Sequence, residues 1–337
     1  MRAHAMTGAA PLRDFQALAR RAAEAGFAGL VVTESGRTAY LSCAAAALSG
    51  ADLDLATGVA VAFPRSPMVT AATAWELADV SGGRFRLGLG TQVRAHIERR
   101  YASPFDPPGP RLREYVLAIK ACFAAFRDGG PLAFEGEHYP LSLLPPIWSP
   151  GPIDAPDPAV DVAAVNPWMV RMAGEVADGV HVHPLNTATY LRETLVPNLA
   201  AGAERAGRDP AALAVFVPLF TVAGDTPEER APWREIARTQ IAFYGSTPAY
   251  RTVLDLHGWG DLHDELYALS KRGRWDEMST LIDDDVLNTF AVVGGYSAAA
   301  AELTNRYGDH VHRLTLTDAN DPQPTRWATI AEALRQV

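Results

Sequence analysis

The chain has 337 residues, a length that suits one large α/β barrel or two ordinary domains. It carries 30 Lys and Arg against 39 Asp and Glu, and this net charge of −9 without a basic block argues against nucleic acid or an anionic membrane as a partner. Two cysteines, Cys43 and Cys122, give no disulfide framework, and no signal peptide or apolar run of membrane-spanning length is evident. A cytoplasmic, metabolic type of protein is expected.

Short apolar runs recur along the chain and predict eight strands. Runs of this kind, apolar on both faces, fit parallel strands covered by helices. The predicted strands are Ala3–Met6, Gly29–Thr33, Leu55–Ala62, Phe85–Gly90, Ala159–Val165, Gly179–His183, Ala214–Val222 and Val311–Leu316.

Helical patterns separate these runs. The predicted helices are Leu12–Ala25, Met68–Asp79, Arg111–Phe126, Met169–Ala177, Tyr190–Ala206 and Ser297–Tyr307. The alternation predicts a (β/α)8 TIM barrel in a single domain, residues 1–337, with a doubly wound open sheet as the alternative. Two insertions stand out: a proline-rich loop at 140–158, and a helical insertion at 225–290 with two or three helices, which could form a small lid subdomain.

The active site of such a barrel forms where the strands end. Glu34 follows the second strand and either contacts a ligand or pairs with Arg37. The small residues Ala60 and Ala62 leave room for a flat ring, or simply pack the barrel interior. Gly90, at the end of the fourth strand, permits close approach of a ligand to the backbone.

Three further strand ends carry polar residues. His96 lies in a dense polar cluster after the fourth strand, which is a solvated face or part of the site. Asn166 and Pro167 predict a capped helix start, either an ordinary one or one whose free N–H groups bind a phosphate. His181 and His183 form an HxH pair, with Glu34 and His96 as candidate further ligands, but the sequence has no second HxH, no HxxE and no suitably placed Asp, so no metal is predicted. We expect His181 to be packed and hydrogen-bonded, and His183 to bind a ligand at the mouth.

Three stretches, EAGFAGLVVTE (24–34), SGGRFRLGLG (81–90) and AGEVADGVHVHP (173–184), resemble the luciferase-like monooxygenase superfamily. Two others, QVRAHIERRY (92–101) and GRWDEM (273–278), are similar to a subgroup of coenzyme F420-dependent oxidoreductases. The resemblance implies a flavin-like ring in the barrel mouth, with F420 as cofactor or FMN as the alternative. It also implies a bulge with a non-proline cis peptide at the end of the third strand, between Ala60 and Phe63.

The resemblance further implies which residues contact the cofactor. The end of the third strand lies against the ring, the end of the fourth faces the ring edge, and the helix start after the fifth takes the phosphate. The residues so assigned are Glu34, Val61, Ala62, Phe63, Gly90, Thr91, Asn166, Pro167, Trp168, Met169 and His183.

The proton that accompanies hydride transfer needs a donor. Relatives that use F420 often have an acid–histidine pair after the second strand, whereas this chain has Glu34 followed by Ser35. Histidine titrates near neutral pH, and glutamate needs burial to do so. We therefore rank His96 and His183 above Glu34 as catalytic proton donors, and expect Glu34 to position the ring.

The implied function is hydride transfer between F420 and a small organic substrate, hydrophobic or ring-bearing. The alternative is an FMN-dependent monooxygenase supplied with reduced flavin by a partner reductase. A different class, a metal-dependent barrel hydrolase or a non-catalytic flavin-binding protein, stays open. A flavin or F420 reductase is a candidate partner, and the resemblance implies a homodimer through barrel helices.

Overall fold

A computed structural model describes residues 2–8, 10–308, 311, 313–316 and 324–336. Position 312 of the strand predicted at 311–316 lies outside these residues, as do the first and last positions of the predicted domain.

Parallel strands form a closed barrel. The strand β10 pairs with both β1 and β8, and β3 and β4 together occupy one place beside β5, so the barrel has eight strand positions. The predicted (β/α)8 barrel is therefore confirmed. The strands are β1 (Arg2–Gly8), β2 (Gly29–Thr33), β3 (Asp54–Thr57), β4 (Ala60–Val61), β5 (Phe85–Gly90), β6 (Ala159–Ala163), β7 (Gly179–His181), β8 (Ala214–Ala223), β9 (Ala291–Gly294) and β10 (Arg313–Leu316).

The third strand position is interrupted, although the sequence predicts one strand at 55–62. A cis peptide bond joins Gly58 to Val59, between β3 and β4. The cis bond predicted between Ala60 and Phe63 is thus wrong in position. Close packing accounts for the glycine, because a Cβ at Gly58 would come within 2.0 Å of the Val31 side chain.

Helices surround the barrel, and all six predicted ones are present with shifted ends. The prediction at 190–206 covers two helices joined by a π-helical turn at Leu191–Leu195. The helices are α1 (Leu12–Glu24), α2 (Ala39–Ala47), α3 (Pro67–Val80), α4 (Arg94–Arg99), α5 (Pro108–Asp128), α6 (Pro167–Val176), α7 (Ala188–Tyr190), α8 (Val196–Arg205), α9 (Pro227–Gly245), α10 (Arg251–Asp255), α11 (Gly260–Lys271), α12 (Trp275–Met278), α13 (Asp284–Phe290), α14 (Tyr296–Tyr307) and α15 (Pro324–Gln336). Within the described part of the chain, none of them combines the length and apolar character needed to cross a membrane.

Both predicted insertions are present. The proline-rich segment 140–158 is irregular apart from an isolated β-bridge between Leu141 and Phe134 and one short 3-10 turn at Pro146–Trp148. The segment 225–290 holds five helices, α9 to α13, instead of the two or three predicted. It leaves the barrel after β8 and returns through β9, which pairs with the carboxyl half of β8 from Phe220 to Ala223. The Gly224 N–H also donates to the Gly294 carbonyl at 3.0 Å.

Ionic groups fill the barrel interior below its mouth. Arg86 donates two hydrogen bonds, at 2.9 and 2.6 Å, to the fully buried carboxylate of Asp161. Burial would raise the pKa of Asp161, but Arg86 and His181 outweigh it and hold that pKa at about 2. The His181 ring stacks on Phe216 with centroids 4.4 Å apart.

A second cluster lies at the amino-terminal strand ends. The Asp54 carboxylate is 2.7 Å from both Arg2 and Arg313, and burial lowers the pKa of the neighbouring His4. Because ion pairs occupy this half of the barrel, the opposite end offers the better place for an apolar ring.

Candidate active site

The carboxyl ends of the strands define the mouth, and most of the predicted site residues lie there. Glu34 is one residue past β2, Gly90 ends β5, and His183 is two residues past β7. Asn166 follows β6 and caps α6. Since all barrel strands are parallel, these ends share one side of the molecule.

Glu34 lies in a hydrogen-bonded ion pair. Its carboxylate accepts from Arg65 at 2.6 and 2.9 Å and from the Val61 N–H at 2.8 Å, and its side chain is only 4% exposed. Burial would raise the pKa of Glu34, but the bonds from Arg65 and Val61 outweigh it and hold the pKa below its usual value. The carboxylate is therefore ionised at neutral pH and holds β4 in place.

Arg65 completes this clamp, which we define as Glu34, Arg65 and Val61. Its guanidinium also donates to the Val61 carbonyl at 3.0 Å and lies 4.9 Å from the centre of the Tyr40 ring. The partner of Glu34 is thus Arg65 and not Arg37. Both backbone polar groups of Val61 are bound by the pair, so the clamp fixes the strand just past the cis bond.

The glycines of β5 are explained by packing within the protein. A Cβ at Gly88 would come within 2.0 Å of the Thr57 carbonyl oxygen, and one at Gly90 within 2.6 Å of the Val59 side chain. Gly90 also faces Ala163, whose Cβ would be 3.7 Å away. Val59, Gly90 and Ala163 therefore form a small apolar floor, and close backbone packing suffices to require the glycines.

Thr91 and the residue after it turn the chain away from β5. Thr91 is half-buried, and its hydroxyl donates to the Gln92 carbonyl at 3.1 Å. Gln92 has a φ of 58°, a left-handed conformation that residues other than glycine seldom adopt. The turn directs the chain into α4, which carries His96.

The α4 segment packs on the loop that follows β2. Arg100 donates to the Ser35 carbonyl at 2.8 Å, next to Glu34. His96 itself is exposed. The structure thus brings the His96 helix to the clamp and leaves the imidazole in contact with water.

Phe63, another predicted cofactor contact, is 4% exposed. Its ring lies between Phe105, with centroids 6.2 Å apart, and the Arg111 guanidinium at 4.9 Å. The Ser103 hydroxyl donates to its carbonyl at 3.1 Å. Protein groups thus surround Phe63, and it anchors the segment that follows α4.

The start of α6 offers fewer free N–H groups than the sequence suggests. Pro167 has no N–H, and the Met169 N–H donates to the Asn166 side chain at 3.0 Å. Among the described residues, the Trp168 N–H makes no hydrogen bond. The Trp168 ring is 46% exposed and lies over Gly109. Binding of a phosphate there stays a prediction.

His183 lies between two tyrosine rings of the helical insertion. Its ring stacks on Tyr250 with centroids 3.8 Å apart and meets Tyr244 edge-on at 4.7 Å. Asn186 ties this loop to β8, because its amide donates to the His183 and Pro218 carbonyls, both at 2.9 Å.

The hydrogen bonding of His183 fixes its tautomer. The Leu185 N–H donates to Nδ1 at 3.1 Å, so Nδ1 is the acceptor and the ring proton is on Nε2. Burial lowers the pKa of His183 to about 3. The assumption that this histidine titrates near neutral pH is therefore wrong: the ring is neutral and can donate a hydrogen bond but supplies no acidic proton.

The HxH pair does not form one site. His181 is packed inside the barrel as predicted, but its Nε2 is 3.7 Å from Asp161, too far for the expected hydrogen bond. His183 lies among tyrosines, and no three potential metal ligands converge anywhere in the described residues. The surroundings of the two histidines differ too much for a shared metal.

Sequence reasoning missed Arg65 as the partner of Glu34, and it missed the contact of Tyr244 and Tyr250 with His183. Arg65 could have been found, because it follows the strand adjacent to the one that carries Glu34. The tyrosines lie more than fifty residues beyond His183 in the chain, and no pattern indicates their contact.

Comparison with known proteins identifies relatives over most of the chain. Residues 1–313 match the family model described as luciferase-like monooxygenase. An uncharacterized protein of Mycobacterium tuberculosis H37Rv is 46% identical over 289 residues, which are 86% of this chain and 85% of that protein. A proposed coenzyme F420-dependent oxidoreductase of the same organism is 28% identical over 307 residues, 85% of each chain.

Solved structures share the fold. The coenzyme F420-dependent tetrahydromethanopterin reductase of Methanopyrus kandleri superimposes with a TM-score of 0.82 at 18% identity, over 99% of this chain and 98% of that one. The oxygenating constituent of the 3,6-diketocamphane monooxygenase of Pseudomonas putida, in complex with FMN, has a TM-score of 0.68 at 16% identity, over 99% and 97%. At these low identities, the two comparisons show a shared fold and nothing more.

Proposed function

Because this chain belongs to the luciferase-like monooxygenase family, we propose that it is an oxidoreductase that transfers a hydride between coenzyme F420 and a small organic substrate. The relative named as an F420-dependent oxidoreductase, alike over 85% of both chains, supports F420 over FMN. The strongest support for the proposal comes from the barrel mouth. It combines small apolar residues with one ion pair whose two charges neutralise each other.

The mouth suits a flat, uncharged ring. Val59, Gly90 and Ala163 present no long side chain, and the clamp keeps its two charges paired. These three residues would hold the ring, and the Trp168 N–H at the start of α6 would bind the phosphate. When bound, the deazaflavin supplies the hydride-transfer chemistry, and the protein supplies orientation and a proton.

The clamp orients the floor of the mouth. Glu34 and Arg65 bind both backbone groups of Val61, so they act as positioning residues behind the floor and not as proton donors. A floor held in this way keeps the ring at a constant distance from the substrate, on which the rate of transfer depends strongly.

The two histidines take different parts in this proposal. His183 donates a hydrogen bond from Nε2 to an acceptor atom of the substrate and thereby polarises it. His96, exposed on α4, transfers the proton, because water can resupply its ring nitrogen. In this proposal the proton donor is therefore His96, and His183 acts only as a hydrogen-bond donor.

The substrate in this proposal is apolar or ring-bearing, since the insertion that covers His183 is rich in aromatic side chains.

A homodimer is proposed as well. It is supported by exposed aliphatic side chains on and beside α2 and α3, namely Leu41 (55%), Leu48 (67%) and Val69 (55%). Light scattering of the purified chain measures the mass that tests the dimer. A reductase that supplies reduced cofactor is the remaining proposed partner.

Cofactor identity tests the proposal directly. The purified chain is titrated separately with F420 and with FMN, and any co-purifying chromophore is identified by mass. We expect tighter binding of F420 and oxidation of reduced F420 by electron-poor C=C or C=N compounds. Tighter binding of FMN, with substrate-dependent consumption of oxygen, would instead identify a monooxygenase.

The proton assignment is tested by substitution. The variant His96→Gln should lose roughly 10²- to 10⁴-fold in turnover while its affinity for the cofactor is unchanged. His138→Gln, a half-buried histidine beside Tyr139, is the matched control and should retain turnover. Normal turnover in His96→Gln would remove this residue from the mechanism.

A further inference from the structure

The helical insertion contains a cleft beside the mouth. Its volume of about 340 Å³ falls in the range of small-molecule sites and is too small for a folded partner. It lies between α9 and α12, and is lined by Thr239, Gln240, Phe243, Tyr244, Trp275 and Met278.

Two aromatic rings at this cleft are half exposed. Phe243 is 51% and Trp275 is 50% exposed, and their ring centroids are 5.9 Å apart at an angle of 45°. Large aromatic surfaces that remain in water lose the free energy that burial would give them. A ligand ring that enters the cleft would recover this free energy by covering both.

The polar groups of the cleft are uncharged. Thr239 and Gln240 offer a hydroxyl and an amide, which can both donate and accept hydrogen bonds. Nearby arginines of α9 are already paired: Arg234 and Arg238 each lie 2.7 Å from the Asp284 carboxylate. This chemistry favours a neutral ligand with a hydrogen-bonding group.

The inner wall of the cleft is also a wall of the mouth. Tyr244 lines the cleft and packs edge-on against His183 at 4.7 Å. The end of α9 is fixed, because His263 of α11 donates to the Gly245 carbonyl at 2.7 Å. The Tyr244 ring therefore separates a molecule in the cleft from His183.

We propose that this cleft binds a flat, uncharged ring at the remote end of the substrate, whose reacting atom lies on the other side of Tyr244, at His183. Phe243 and Trp275 supply the stacking surfaces, and the Gln240 amide supplies the hydrogen bond. That the bound ring belongs to a substrate rests on the proposed oxidoreductase function, whereas binding of a neutral ring in the cleft does not depend on that function.

Two fluorescent probes with the same rings test the site. N-phenyl-1-naphthylamine is uncharged, and 8-anilinonaphthalene-1-sulfonate adds a sulfonate. Each is titrated into the full chain, and the dissociation constants are compared. We expect the neutral probe to bind at least tenfold more tightly, and equal or tighter binding of the sulfonate would overturn the choice of a neutral ligand.

Substitutions locate the bound probe. Trp275→Ala should weaken binding of the neutral probe about tenfold or more through the lost stacking area, and Trp275→Tyr should restore most of it. Trp148→Ala is the matched control, because Trp148 is 77% exposed on the proline-rich loop. If Trp275→Ala fails to fold, Phe243→Ala gives the same test.

The outcomes separate the two proposals. Equal probe affinity in wild type and Trp275→Ala, or loss in Trp148→Ala instead, would overturn the cleft as a ring site. Titration of the same variants with F420 reports on the proposed function independently, since Trp275 is not part of the floor or the clamp. Loss of probe binding with normal F420 affinity is the result expected.

Discussion

The first prediction concerns the negative charge that Glu34 contributes to the clamp. Glu34→Gln keeps an oxygen that can accept from the Val61 N–H but leaves the Arg65 guanidinium without a counter-charge. The variant should be less stable than the wild type, and the end of β4 should become more mobile.

The size of the effect follows from the exposure of the two side chains. Breaking a fully buried ion pair costs about 3–5 kcal/mol, because the remaining charge is left desolvated. Glu34 is 4% exposed but Arg65 is 26% exposed, so water compensates in part. We expect a loss of about 2–3 kcal/mol, which lowers the melting temperature by about 3–4 °C for a chain of this size.

Thermal unfolding is monitored by calorimetry, and an ion pair on the surface provides the control variant. Arg251 and Asp264 are also 2.7 Å apart, but Asp264 is 61% exposed, so Asp264→Asn should leave the melting temperature almost unchanged. The double variant Glu34→Gln, Arg65→Met should regain part of the loss, because no unpaired charge remains. A melting temperature for Glu34→Gln no lower than that of Asp264→Asn would refute the reasoning.

Two further predictions concern stability. The pKa of His183 is about 3 when folded against an ordinary 6.5, so the unfolded chain binds an extra proton between these values. The free energy of unfolding should therefore fall by about 1.4 kcal/mol per pH unit below pH 6.5. His183→Gln should reduce that slope by about 1.4 kcal/mol per pH unit, which corresponds to one proton, in denaturant titrations from pH 7 to 5. An unchanged slope would contradict this prediction. Asp161→Asn should cost about 3–5 kcal/mol, more than Glu34→Gln, because Asp161 is fully buried against Arg86; near-wild-type unfolding would show the pair to be dispensable.

The barrel was predictable because its signals are local. Apolar runs bounded by glycines mark the strands, and caps mark the helices; the Ser66 hydroxyl, for example, accepts from the Val69 N–H at the start of α3. The helix α2 was missed because its alanine-rich sequence has no polar face and so no helical period. The break after Gly58 was predicted too late in the chain, between Ala60 and Phe63, because the apolar run through Gly58 is continuous.

The site was less predictable than the fold. The sequence placed Glu34 and His183 at the mouth, because position after a strand is enough for that. Their electrostatic states depend on Arg65 and on two tyrosines, which are contacts between distant parts of the chain. Burial among those tyrosines reverses the expected titration of His183, and no spacing in the sequence encodes this effect.

The pairing of β9 with β8 has a consequence for how this scaffold can change. The helical insertion leaves the barrel after β8 and returns through β9, which is hydrogen-bonded to β8 from Phe220 to Ala223. The entropy of closing such a segment grows only slowly with its length, so its anchoring does not depend on what it contains. Helices α9 to α13 could then be exchanged for others, and with them the residues that cover His183, without any change of register among the eight strand positions. In engineering terms, a new specificity would be introduced by grafting one contiguous segment between two fixed points.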